Sequence, residues 1–295
     1  MALTIYTRLA LNDGQKIPQL GLGVWKIRAG PPCEAAVLAA LEAGYRHIDT
    51  ATVYGNEESV GAAVRMSGIP REQIFVTTKL WNSDHRKPER ALDASLRKLR
   101  FDYVDLYLIH YPVPERRQSW RALESLRQSG KTRSIGVSNF TIRHLTELLD
   151  GTGTIPAVNQ VEFHPYLYQR DLLQFCAAKG IVLEAYSPLT AGARLSDPKL
   201  IAIAKKYPAV TKPFSDKSPI SSANTATPPP TKSPAQILIR WALQRGLVVI
   251  PKSSKRQRIW ENADVFDFEL SDADMQLIDS FNENLRTCWD PTNAP

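Results

Sequence analysis

Cysteine is scarce in this chain: three in 295 residues, Cys33, Cys176 and Cys288, odd in number and far apart. That excludes a disulfide framework and a Cys-x-x-Cys metal pattern, so the thiols read as reduced and structural, with no metal site. Long apolar runs are missing as well. No stretch approaches the ~20 apolar residues that a bilayer span needs. The opening Met1-Ala-Leu-Thr-Ile-Tyr-Thr-Arg8 has no apolar core of a secretory signal. A cytoplasmic protein that does not enter the membrane is expected. Nor is there a one-sided basic stripe. The 37 Lys+Arg against 30 Asp+Glu give a net charge of +7, but they are scattered through Arg97 to Arg100, Arg116-Arg117 and Lys252 to Arg258. Scattered charge belongs to solvated helix faces, which argues against a nucleic-acid partner.

What the chain does have is a repeated alternation. Short β-rich runs occur at Gln19 to Gly23, His47 to Asp49, Ile74 to Lys79 and Val104 to Ile109. They continue at Arg133 to Val137, Val158 to Val161, Ile181 to Tyr186 and Leu247 to Ile250, eight in all. Runs this apolar read as strands buried on both faces of a parallel sheet. Between them lie segments with apolar residues at three-to-four spacing, such as Cys33 to Glu42, Glu57 to Met66, Pro88 to Leu99 and Ser119 to Gln128. Pro88 suits a first helical position, where its missing N–H is no loss, and Thr141 can cap the helix that follows it. Eight βα units in one domain over 1–295 predict an α/β fold, a (β/α)8 TIM barrel. Alternating sequence around Asp13-Gly14 predicts a β-hairpin plugging the barrel bottom. Pro, Ser and Thr fill 15 of the 26 positions from Pro208 to Ser233. That composition cannot offset ordering entropy, and it predicts a disordered insertion in the seventh crossover.

In a parallel barrel, chemistry sits where strands end at the C-terminal face. Asp49, Lys79 and His110 stand at such ends, and Tyr54 lies in the loop after Asp49. A phenol with a pKa near 10 exchanges protons poorly at neutral pH. An adjacent ammonium stabilises the phenolate, and a carboxylate holds the ammonium in place. A neutral imidazole can orient a carbonyl oxygen. Together they make an acid–base site for carbonyl reduction, given a hydride donor.

The segment Gly44-Tyr-Arg-His-Ile-Asp49-Thr-Ala-Thr-Val-Tyr54-Gly-Asn-Glu resembles the signature of the aldo-keto reductase family. Leu99-Arg-Phe-Asp-Tyr-Val-Asp-Leu-Tyr-Leu-Ile-His110 and Ile250-Pro-Lys252-Ser-Ser-Lys resemble two further family motifs. The likeness runs from about Leu11 to Pro291. It implies that Tyr54 is the general acid, that Lys79 lowers its pKa, that Asp49 pairs with Lys79 and that His110 orients the substrate. It further implies NADPH (NADP+) as cofactor. Ser138, Asn139 and Gln160 would grip the nicotinamide carboxamide, and Tyr186 would stack on the ring. Ser187 and Leu189 would run along ribose and pyrophosphate. Lys252, Ser253 and Arg258 would hold the 2′-phosphate, with Glu261 and Asn262 at the adenine. The bland reading of Lys252 to Arg258 is a solvated helix start, although cations at a helix N-terminus also make a phosphate site. Trp25, Trp81 and Tyr111 would join His110 in the substrate pocket.

Departures from the family pattern are few. Tyr111 stands where many relatives have tryptophan, and Thr190 replaces a common glycine. The short Tyr111-to-Trp120 loop is similar to that of microbial members and implies an open pocket. Trp289 either reaches the pocket from the tail or packs on the surface. A Rossmann site fails, because Gly21-Leu-Gly23-Val-Trp-Lys26 has lysine at the third glycine position. The expectation is a monomeric reductase of a small-molecule carbonyl, with sugars, keto acids, ketones and lipid aldehydes all open as substrates. The alternative is a non-catalytic NADPH-binding regulatory subunit on the same barrel.

Overall fold

Leu9 and Leu11 lie on one side of Asp13-Gly14 and Ile17 on the other, and the chain reverses between them. The computed structural model describes residues 2–209 and 230–295. In it β1 (Arg8–Ala10) and β2 (Lys16–Pro18) pair antiparallel, with Leu9 opposite Ile17. Gly14 takes φ +88 in the turn, a left-handed conformation that glycine adopts without a Cβ penalty. Leu11 and Ile17 pack against Phe75, Val158 and Val248. Those three residues open their strands, so the hairpin closes the N-terminal end of the barrel, as expected.

Eight parallel strands follow: β3 (Leu22–Gly23), β4 (His47–Asp49), β5 (Phe75–Leu80), β6 (Val104–Ile109), β7 (Thr132–Ser138), β8 (Val158–Glu162), β9 (Val182–Tyr186) and β10 (Val248–Val249). Each pairs with the next in chain order. The ring closes where Leu20 bridges Val249. There Gly21 N–H donates to Val249 O at 2.9 Å, and Val249 N–H donates to Gln19 O at 2.9 Å. All six residues of β5 are buried, and its polar members are paired: Thr77 with His47, Thr78 with Glu57 and Lys79 with Asp49.

The helices are α1 (Pro31–Glu42), α2 (Glu57–Met66), α3 (Pro88–Leu99), α4 (Arg116–Gln128), α5 (Ile142–Leu149), α6 (Arg170–Ala178), α7 (Pro198–Ala204), α8 (Pro234–Gln244), α9 (Arg256–Ala263) and α10 (Asp272–Asp279). Pro88 opens α3 as expected. Thr141 caps α5, and His144 completes a reciprocal box with it. Trp120 of α4 and Trp241 of α8 are fully buried between helices and sheet. Burying a large apolar side chain contributes roughly 1.5–3 kcal/mol, so this layer carries much of the stability.

The sequence places its insertion at Pro208 to Ser233, between α7 and α8. Residues 210–229 of it lie outside the described residues. The two ends of the tract belong to the folded body. Pro208 bridges Thr231, Ala209 N–H donates to Pro230 O at 2.7 Å, and Lys232 N–H donates to Tyr207 O at 2.8 Å. Lys232 is buried on Asp264 and Asp267, each at 2.8 Å, and Ser233 caps α8. Composition hid this, because those partners lie on a later stretch of chain.

Candidate active site

Because all eight barrel strands run the same way, their C-terminal ends gather on one rim. Asp49 closes β4, Lys79 is the penultimate residue of β5, and His110 follows β6. A 3-10 turn over Thr52–Tyr54 brings Tyr54 back over them. The ammonium of Lys79, which has no exposed surface, uses its three protons on three oxygens. They are Asp49 Oδ1 at 2.7 Å, Thr50 O at 2.9 Å and Tyr54 Oη at 3.3 Å. Burial pushes the Asp49 carboxyl up, while Lys79 and Gln160 pull it back.

The Tyr54 phenol feels more than Lys79. Burial first, then the charge of Asp49, holds it well above the ordinary tyrosine value. A buried phenolate is costly, and a neighbouring carboxylate adds to the cost. Tyr54 therefore keeps its proton across the neutral range. Burial and Lys79 hold His110 well below the ordinary histidine value, so its ring is neutral. That ring stands edge-on to Tyr54 with centroids 5.8 Å apart, and edge-on to Trp81 at 5.3 Å. Its Nδ1 has no hydrogen-bond partner among the described residues.

Beside this group the ends of β7, β8 and β9 form a polar wall. Asn139, with φ +64, donates from Nδ2 to His110 O at 3.0 Å and accepts from Tyr186 Oη at 2.8 Å. Ser138 Oγ donates to Gln160 O at 2.9 Å. Gln160 Nε2 donates to Asp49 Oδ2 at 2.8 Å and to Glu184 Oε2 at 3.1 Å. Beyond Tyr186 the chain turns sharply, with Ser187, Thr190 and Ala191 all at positive φ. Thr190, at φ +54, is β-branched and strained there, which gives the physical reason for a glycine at this place. Its Oγ offsets part of the strain, donating to Leu189 O at 2.7 Å and accepting from Arg194 N–H at 3.0 Å.

These walls enclose a cleft of about 870 Å³ that runs from the aromatic rim to the start of α9. Trp25, Trp81, Tyr111, Tyr54, His110 and Asp49 line one end. Ser138, Asn139, Gln160, Tyr186, Ser187 and Leu189 line the middle, and Lys252, Ser253, Arg258, Glu261 and Asn262 line the other end. Every site residue expected from sequence is brought to this cleft, with Lys79 lying just beneath its floor.

Residues 19–283 match the model of the Aldo/keto reductase family. The chain belongs to this family. It is 48% identical over 289 residues to an aldo-keto reductase of Mycolicibacterium smegmatis, covering 96% of both chains. It is 44% identical to the glyoxal reductase of Bacillus subtilis, covering 99% of this chain and 98% of that one. The crystal structure of a Bombyx mori aldo-keto reductase in complex with NADP superposes with a TM-score of 0.85 at 37% identity, covering 100% of this chain and 99% of that one. Among the described residues of this aldo/keto reductase, no helix is long and apolar enough to cross a membrane.

Sequence reasoning missed part of the cleft of this aldo/keto reductase. Cys33 and Cys176 are buried, and burial pushes both thiols up to about 12, as structural cysteines require. Cys288 is not of that kind. It lines the cleft with Trp289, and its Sγ lies 3.3 Å from Ser187 Oγ. The tail reaches the pocket because buried Glu162, on β8, accepts from Thr287 N–H at 2.7 Å, Thr287 Oγ at 2.6 Å and Cys288 N–H at 3.2 Å. Trp289 then meets Tyr111 edge-on at 4.8 Å, so of its two expected placements the pocket is the one observed. Glu162 carries no local motif that announces this role.

Proposed function

We propose that this aldo/keto reductase converts aldehydes or ketones to alcohols with NADPH, and that Tyr54 is the general acid. The observation that carries the reading is one ammonium, Lys79, bonded at once to Asp49 and to Tyr54 Oη beneath an open cleft. When bound, NADPH supplies the hydride. As negative charge grows on the carbonyl oxygen, Tyr54 Oη gives up its proton to it. Lys79 Nζ stabilises the phenolate left behind, and Asp49 keeps Lys79 in place and balances its charge. Neutral His110 hydrogen-bonds the same carbonyl oxygen and fixes its direction.

The cleft residues suit the cofactor. Gln160 and Asn139 present amides where a carboxamide needs partners, and Tyr186 offers an aromatic face beside them. At the far end Lys252 and Arg258 are exposed and have no ion-pair partner among the described residues. Two cations at the start of a helix suit a phosphate monoester such as the one that distinguishes NADPH from NADH.

Tyr54→Phe removes one hydroxyl and little volume. Turnover, followed as NADPH oxidation against a carbonyl panel that includes glyoxal, should fall by about 10²–10⁴-fold, the usual contribution of a positioned acid. NADPH affinity by fluorescence titration should stay near wild type. A variant with undiminished turnover would sink the assignment, and a wild-type protein that binds NADPH but reduces nothing on the panel would favour a regulatory subunit.

A further inference from the structure

Glu184 is fully buried on β9, below the Asp49–Lys79 pair, and the reaction argued above gives it no task. A carboxyl without solvent needs a reason to be there. On one side its strand pairs with β10, where the register partner is Val248. On the other it pairs with β8, where the partner is Gln160. His47 and Asp49 face it from β4, Lys79 from β5, and Tyr54 from above. Its Oε2 accepts from Gln160 Nε2 at 3.1 Å, and its Oε1 lies 3.6 Å from His47 Nε2 without a hydrogen bond. Burial and Lys79 push His47 down to about 3, so that imidazole brings no charge. Gly21 makes room for it, since a Cβ there would come within 2.7 Å of His47 Nδ1.

We propose that Glu184 is a positioning residue: it anchors the Gln160 amide from below, and its charge controls how readily the Tyr54 phenol ionises. The inference rests on the assignment of Tyr54 as acid and of Gln160 as a cofactor contact. Both hydrogens of Gln160 Nε2 are directed at carboxyl oxygens, one on Asp49 and one on Glu184. Gln160 lines the cleft, and its remaining polar atom is Oε1, an acceptor for a carboxamide N–H. Asp49 alone would leave the second hydrogen unpaired and the amide free to tilt.

The charge acts separately. Burial, then the charge of Asp49, pushes Glu184 up to about 8, against the pull of Gln160 and Lys79. At neutral pH Glu184 is mostly protonated, and Asp49 is left as the counter-ion of Lys79. Above that range Glu184 ionises and a second negative charge appears under the phenol. It opposes loss of the Tyr54 proton, so the acid form of Tyr54, and with it reduction, persists to higher pH.

Two variants separate the anchor from the charge. Glu184→Gln keeps an acceptor for Gln160 and removes the charge, whereas Glu184→Leu removes both. In each, the alkaline limb of kcat/KM for reduction should move to lower pH by about half a unit or more. NADPH affinity should stay within about twofold in Glu184→Gln and weaken about fivefold or more in Glu184→Leu, the loss of one buried hydrogen bond. A folded Glu184→Gln enzyme with the wild-type limb, or a folded Glu184→Leu enzyme with wild-type affinity, would overturn the inference. The wild-type protein gives a check that needs no variant: the ¹³C signal of the Glu184 carboxyl should titrate near pH 8, and titration near the ordinary glutamate value of about 4.3 would overturn it. The parent assignment fails on its own test, retained turnover in Tyr54→Phe. An inactive Tyr54→Phe beside an unmoved Glu184→Gln limb would remove the Glu184 role alone.

Discussion

Lys252 in the loop before α9 and Arg258 in its first turn stand exposed, and no ion-pair partner neutralises them among the described residues. Left in water, such charges contribute little to stability, so their use is best sought in a ligand. Replacing either by alanine should weaken NADPH binding by about tenfold or more, since a charge-assisted contact contributes roughly 1.5–3 kcal/mol. NADH, which has no 2′-phosphate, should bind the variants about as well as it binds wild type. Equal losses for both cofactors in fluorescence titration would remove the phosphate role. At this scale the residues that could be read from sequence are those inside short motifs at strand ends: Asp49, Tyr54, Lys79 and His110. Glu184 and Glu162 could not be read. Glu162 finds its partner Thr287 125 positions away, and a lone glutamate in an apolar strand does not say which distant donors it meets. The depth at which Tyr54 is buried is equally absent from local sequence, which shows only the nearby lysine.

Elements were legible where local chemistry decides them. Pro88 at the start of α3 and Thr141 before α5 act on their own helices, so no tertiary information was needed. The opening of α8 is a mixed case. Ser233 caps it, with Gln236 N–H donating to Ser233 Oγ at 3.4 Å and Ser233 N–H donating to Gln236 Oε1 at 2.9 Å. Its Oγ also donates to Glu261 Oε1 at 2.5 Å, tying α8 to the cleft end of α9. A serine among so many others in a Pro/Ser/Thr tract reads as loop, and only the partner helix shows otherwise. Ser233→Ala should cost about 1 kcal/mol, which for a chain of this size lowers Tm by roughly 2–4 °C. An unchanged Tm in calorimetry would show that the cap contributes nothing.

For the whole molecule, the tract between α7 and α8 can be tested apart from the barrel. Ala209 and Pro230 are joined by a backbone hydrogen bond of 2.7 Å, so a short Gly-containing link can replace residues 210–229. Halving the length of a connection changes closure entropy by only about 0.6 kcal/mol, so Tm and kcat/KM should stay near wild type. A large fall in kcat/KM at unchanged Tm would identify a lid. Extending the deletion through Ser233 should instead lower Tm, because it strips Lys232 from Asp264 and Asp267 and leaves α8 uncapped. The barrel itself has a consequence for synthesis. Its ring is closed by its first and last strands, so β3 and β9 each present a bare sheet edge until β10 has been made. Between the end of β9 and the start of β10 the ribosome needs roughly 3–12 s at 5–20 residues per second. Through that interval the nascent sheet has two edges able to pair with other chains. The Pro/Ser/Thr tract lies inside this stretch, so each residue it adds lengthens the time for which the unfinished barrel stays open.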